Sequence, residues 1–183
     1  MQVHCDAQNV LDFWFNEQNK AFWFVKSADF DEQIRVQFGE VLRQAAACEL
    51  SEWRTTVEGR LAEIIVLDQF SRNVYRNTPQ AFAQDDIALA LAQEALKTEG
   101  YVTLCPVWRK FILMPFMHSE SRLIHERALP YFEALQDEMT LDFELRHKAI
   151  IDRFGRYPHR NAILNRTSTE EELQFLQEDG SSF

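Results

Sequence analysis

Apolar residues in this chain recur three and four positions apart almost from end to end, and that spacing restricts it to helices. Phe30, Ile34, Phe38 and Leu42 form one stripe; Phe143, His147, Ile150, Ile151 and Phe154 form another. Alternating runs rich in Val, Ile and Thr are absent, so no sheet is expected. The spacing predicts a helix over about 30–48, capped by Ser27 or Asp29, and another from Thr55 or Thr56 to about Val74. The second is apolar nearly all round, with Leu61, Ile64 and Ile65 on one face and Val66, Leu67 and Phe70 elsewhere. A helix apolar on every side belongs at the centre of a fold.

Punctuation divides the rest. Pro79 after Asn77-Thr78 opens a turn, and a helix over 85–97 is expected to end at a Gly100 cap. Pro106 starts the next helix, and Pro115 is expected to interrupt it. Ser119 is then read as the N-cap of a helix toward Leu135, with a kink near Pro130. Thr140 is read as the cap of the helix that Gly155 ends, and Thr169 to Glu172 as a capping box. Gly39 is assigned to close helix contact. The aromatics of Phe13-Trp14-Phe15 and Phe22-Trp23-Phe24 are read as a core plug, with a ligand-stacking platform as the alternative. With 183 residues and no long linker or fixed-period repeat, one domain over 1–183 is expected.

Several functional classes are disfavoured. A net charge of −10 argues against nucleic-acid binding, which needs a basic surface to neutralise phosphate. No apolar run approaches the ~20 residues of a membrane span, and Met1 to Asp6 carries no signal-peptide pattern. Cys5, Cys48 and Cys105 lack a Cys-x-x-Cys pair, which suits a reducing cytoplasm and no zinc set. No cofactor fingerprint is present, and nothing in the sequence signals an oligomeric state.

Three segments do not fit a plain helical core: Leu67 to Asn73, Met117 to Glu120, and Arg153 to Asn161. The last sits in the stretch Phe143–Asn161, which holds four arginines and two histidines in an acidic chain. Asp68 lies on the buried face of its helix, so it must be paired; it is either self-satisfied by Arg72 one turn on or a site carboxylate held by that arginine. His118 falls at a helix mouth, and His147 on a core stripe, where it is structural. If the segments converge, Asp68, Arg72, Asn73, His118, Glu120, Arg153, Arg156, His159, Arg160 and Asn161 would form a pocket for an anionic small molecule or a peptide end. A hydrolase is the alternative, with His118, Glu120 or His159 in acid–base roles and arginines facing developing negative charge. A metal set from Asp68, His118, Glu120 and His159 has suitable ligands but no diagnostic spacing. The remaining reading is an ion network that only locks helices.

The same segments carry a family resemblance. The runs Leu67-Asp68-Gln69-Phe70-Ser71-Arg72-Asn73, Pro115-Phe116-Met117-His118-Ser119-Glu120 and Arg146-His147 with Arg153 to Asn161 resemble the bacterial family called domain of unknown function 924. Val10 to Phe15 and Gly180 to Phe183 match it too, so the resemblance spans nearly the whole chain. Ser71 stands where the family usually has proline. The resemblance implies an all-α, tetratricopeptide-like right-handed array of antiparallel helices. It implies no established activity; the superfamily commonly binds peptides in a concave groove, which is analogy at the level of fold.

Overall fold

The computed structural model describes residues 6–182, all of whose regular structure is helical. Cys5 and Phe183 lie outside the described residues. Helix α1 is Ala7–Trp14, α2 is Ala28–Ala46, and α3 runs over 57–74. Helices α4 (Asp85–Ala95), α5 (Pro106–Met117), α6 (Arg122–Ala134), α7 (Glu138–Phe154) and α8 (Glu170–Phe175) follow.

Helix α3 is the axle. It packs against α1, α2, α4 and α5, which is why it is apolar nearly all round. Leu61, Ala62, Ile64 to Leu67 and Phe70 are all 0 % exposed. Around it, α4 packs on α5, α5 on α6, and α6 on α7, so neighbours in sequence are neighbours in space. The early aromatics fill the core only in part: Trp14 is fully buried against Trp23, Phe70 and Phe111, whereas Phe22 and Phe24 are exposed. The Trp23 indole Nε1 donates to Trp14 O at 2.9 Å, which fixes the turn between α1 and α2. A smaller core of Ile150, Ile151, Tyr157, Phe154 and Phe175 closes α8 onto α7.

The caps at Ser27, Thr56 and Thr169 are present, and Gly155 ends α7 at φ 70°. Other local expectations are corrected. Asp137, not Thr140, caps α7; Thr140 is its buried third residue, donating to Asp137 through both N–H and Oγ1. Pro115 does not stop α5, which continues to Met117. Every residue from Phe111 to Met117 is buried, and that burial outweighs the lost backbone bond. Pro130 likewise lies inside α6. Ser121 precedes α6; Ser119 Oγ instead accepts the Ser121 N–H at 3.2 Å. The α4 helix stops at Leu96, and Gly100 gives room to Val57 rather than a cap. A Cβ on Gly39 would meet nothing within 4 Å, whereas a Cβ on Gly59 would sit 1.9 Å from Trp53 O. Gly59, not Gly39, is therefore the close approach in this fold.

Candidate functional site

The middle of α3 is a π-helical turn, Ile65–Phe70, flanked by Val57–Ile64 and Ser71–Val74. Such turns cluster at functional positions because they re-aim side chains. Here the turn carries Asp68 and Gln69. The Asp68 carboxylate is completely buried, so each oxygen needs a donor. His118 Nδ1 lies 2.7 Å from Oδ1, Gln69 Nε2 donates to Oδ2 at 2.6 Å, and Arg72 Nη1 sits 3.0 Å from Oδ1. Burial alone pushes the Asp68 carboxyl up, but the Arg72 charge and His118 outweigh it and hold it below its ordinary value. It is therefore a carboxylate, and the hydrogen between the two residues belongs to His118 Nδ1.

The other ring nitrogen follows from that. Among the described residues His118 Nε2 has no hydrogen-bond partner, and it is not a buried unpartnered atom, so it is open to solvent. Burial and the Arg72 charge pull the imidazole below its usual value, against the opposing effect of Asp68. At neutral pH His118 is an uncharged base with its lone pair outward.

His118 lines a cleft of about 230 Å³. Its apolar lining comes from Pro79, Phe82, Leu89, Pro115 and Leu164, and its polar lining from Asp85, Asp86, His118, Ser119, Glu120 and Arg160. The polar lining is held from behind. A helix leaves its last carbonyls without intrahelical donors, and from the last residue of α5 onward the carbonyls of residues 117–119 are each met by a distant side chain. Tyr157 OH donates to Met117 O at 2.5 Å, Arg160 Nη2 to His118 O at 3.1 Å, and His125 Nε2 to Ser119 O at 2.9 Å. Glu120 receives the Tyr157 N–H at 2.7 Å and the Arg166 guanidinium at 2.6 and 2.9 Å. Burial raises the Glu120 carboxyl, but the Arg166 hydrogen bonds prevail and lower it. Residues 117–120 are thus pinned at four successive positions.

The arginines are less available than a count suggests. Arg72 forks onto Asp85 at 2.9 and 3.0 Å, and Arg160 reaches the same carboxylate at 3.4 Å. Arg160 lies between the Phe82 and Tyr157 rings, 4.6 and 4.5 Å from their centres, with Nε buried and unpartnered. Burial and the neighbouring Arg72 charge lower its pKa from the ordinary arginine value.

Of the residues singled out from sequence, His118, Glu120 and Arg160 line the cleft, while Asp68 and Arg72 stand behind it. The others face elsewhere. Asn73 donates to Asp31 at 2.7 Å beside Arg76. Arg153 pairs with Glu171 at 2.9 Å on the surface. Arg156 grips Glu172 at 2.6 and 2.7 Å, and Asn161 joins them through Glu172 and Ser168. Those residues fasten α8 rather than build a pocket. His159 packs 5.6 Å from the Tyr157 ring, and burial lowers its pKa to about 4. His147 is core, as its stripe required: its Nδ1 donates to Phe143 O, and burial lowers its pKa to about 3. Among the described residues no three His, Cys, Asp or Glu side chains converge as a metal set would need.

Sequence reading missed Asp85, Phe82, Arg166 and the His125–Glu144 pair. The pair is entirely buried, Nδ1 to Oε1 at 2.7 Å. Its signal was available: His125, Ala128 and Phe132 share one stripe, and Glu144, His147 and Ile151 another.

Fold and site together define an all-helical single-domain protein with a buried carboxylate–histidine pair at the base of a small cleft. The chain belongs to the family described as "Bacterial protein of unknown function (DUF924)", whose model matches residues 10–180. It is similar to the solved "Structure of Protein of Unknown Function ATU0120 from Agrobacterium tumefaciens". The two are 36% identical, with a TM-score of 0.88 over 93% of this chain and 96% of that one. No curated protein matches the chain.

Proposed function

We propose that the cleft binds a small molecule and that His118 takes a proton there, most simply from a water that hydrolyses the occupant. The observation that carries this is the Asp68–His118 pair: a buried carboxylate fixes Nδ1–H on a histidine that lines the cleft, which leaves Nε2 as its basic nitrogen. That is the arrangement a general base requires. Among the described residues no hydroxyl or thiol is hydrogen-bonded to Nε2, which favours water over a side-chain nucleophile. In the reaction, the water oxygen bonds to the electrophilic centre while its proton passes to Nε2. The imidazolium then returns that proton to the departing group. Arg160, beside His118 in the lining, faces the negative charge that develops. The volume is below the ~300–1,000 Å³ of clefts that take drug-sized ligands, which favours a small metabolite over a peptide segment.

A second reading, retention of an anionic group at Arg160 without turnover, is favoured by its unpartnered Nε. Cytoplasmic location and a tetratricopeptide-like arrangement belong to the same proposal. The exposed free thiols of Cys48 and Cys105 support the first, and helices packed on their sequence neighbours support the second. Among the described residues no helix is long and apolar enough to cross a membrane.

The test is a panel of small esters, amides and phosphate esters at pH 7.5. Turnover should fall by roughly 10²–10⁴-fold in His118→Ala and persist in Arg153→Ala. Turnover indifferent to His118→Ala removes the base assignment. A thermal shift with small carboxylates that disappears in Arg160→Gln, with no turnover of any substrate, would favour retention instead.

A further inference from the structure

The formal charges around the cleft do not cancel. Asp68, Asp85 and Glu120 are each engaged by arginine: Arg72 bridges the first two, Arg160 also reaches Asp85, and Arg166 holds Glu120. Three carboxylates thus meet three guanidiniums, and His118 between them is neutral. Asp86 is the carboxylate left over. It lines the cleft, is exposed, and among the described residues takes part in no hydrogen bond or ion pair. It shares the cleft-facing side of the Phe82-to-Leu89 segment, four residues from Phe82 and three from Leu89. The cleft therefore presents one carboxylate without a side-chain partner, in the first turn of α4, while each of its cations already faces a carboxylate.

An occupant with only an anionic group would add to the negative charge and compete with Asp85 for Arg160. One with an ammonium group would neutralise Asp86 without breaking any existing pair. Arg160 lines the cleft, and its guanidinium is the donor to which a carbonyl or carboxylate oxygen of the same molecule would be directed. Resting on the reading that the cleft takes a small substrate, we infer that this substrate carries an amine, seated on Asp86, with its apolar portion against Phe82 and Leu89. Its reacting group then lies toward His118 and Arg160. Amino-acid esters and amides are the simplest molecules of that class.

The experiment uses the whole chain, labelled with ¹⁵N, and four probes of matched size: pentylamine, pentanoate, pentanol and 5-aminopentanoate. Pentylamine and 5-aminopentanoate should shift the amide signals of Asp86, Leu89 and His118; pentanoate and pentanol should shift them several-fold more weakly. Asp86→Asn should weaken pentylamine roughly fivefold, the scale of a partly exposed ion pair, and Asp86→Glu should restore it. Raising NaCl to about 0.5 M should weaken pentylamine and leave pentanol unchanged. Pentanoate binding as tightly as pentylamine, unchanged pentylamine affinity in Asp86→Asn, or silence of the cleft amides toward every probe would each overturn the inference. Hydrolysis that depends on His118 but is indifferent to Asp86→Asn would sink the amine assignment alone. Amine binding with no turnover would sink the hydrolase reading alone.

Discussion

Replacing Asp68 by asparagine keeps the shape of the side chain and removes its charge. In the native protein the two carboxylate oxygens serve His118 Nδ1 at 2.7 Å, Gln69 Nε2 at 2.6 Å and Arg72 Nη1 at 3.0 Å. An asparagine offers one acceptor and one donor to that set. If its oxygen serves Gln69, its amide faces His118 Nδ1, and the imidazole must move its hydrogen to Nε2 to accept. A charge-assisted hydrogen bond is then lost, worth about 1.5–3 kcal/mol. Arg72 is not stranded, because Asp85 still takes it at 2.9 and 3.0 Å, so the full ~3–5 kcal/mol of a broken buried pair is not incurred. The expected loss is about 2–3 kcal/mol. For a chain this long that lowers Tm by roughly 4–12 °C. Urea and thermal melts of Asp68→Asn, His118→Gln and the double variant measure it. The asparagine effect should shrink by at least about 1 kcal/mol in the His118→Gln background. A loss under about 0.5 kcal/mol, or additive single effects, would refute an ionic Asp68 held against His118.

Other perturbations test the surrounding frame. Tyr157→Phe removes the donor to Met117 O in a fully buried position and should cost about 1–3 kcal/mol in urea melts. Gly59→Ala places a carbon 1.9 Å from the backbone oxygen of Trp53, which cannot yield easily, and should cost more than about 3 kcal/mol. Acidification should destabilise the chain in two stages. His147 and His159 have folded values near 3 and 4, below the ordinary 6.5, so the unfolded chain binds protons first as pH falls. Stability is complete above about pH 6.5 and at pH 5 should be lower by on the order of 2 kcal/mol for buried His147. Glu172, lowered to about 2 mainly by Arg156, adds a further loss between about pH 4.5 and 2. Denaturant midpoints that stay level from pH 7 to 5 would contradict buried neutral histidines.

The central helix was legible because its sequence is apolar nearly all round, and such a helix has one place to go. The convergence of Asp68, Arg72, His118, Glu120 and Arg160 was legible because each is expensive to bury alone. What local pattern hides is which acid takes which base. Arg153, Arg156 and Asn161 looked like site residues beside Arg160, yet their partners, Glu171 and Glu172, lie on the helix that follows. Asp85 only opened the helix expected over 85–97, although it joins Arg72, 13 positions before it, to Arg160, 75 positions after it. Pro115 misled for a related reason. Its local preference against helix is real, but tertiary burial on several sides overrides it. The π-helical turn at Ile65–Phe70 has no sequence signature, and it places Gln69 on the second oxygen of Asp68.

The state of the His118 ring decides most directly whether the cleft holds a base. Nitrogen-resolved NMR of the whole chain, titrated from pH 8 to 4, reads both ring nitrogens. The expected result is a neutral ring with hydrogen on Nδ1 and none on Nε2 at pH 7, titrating below the ordinary 6.5. A hydrogen on Nε2 at pH 7, or a ring already charged there, would contradict the base assigned to this cleft.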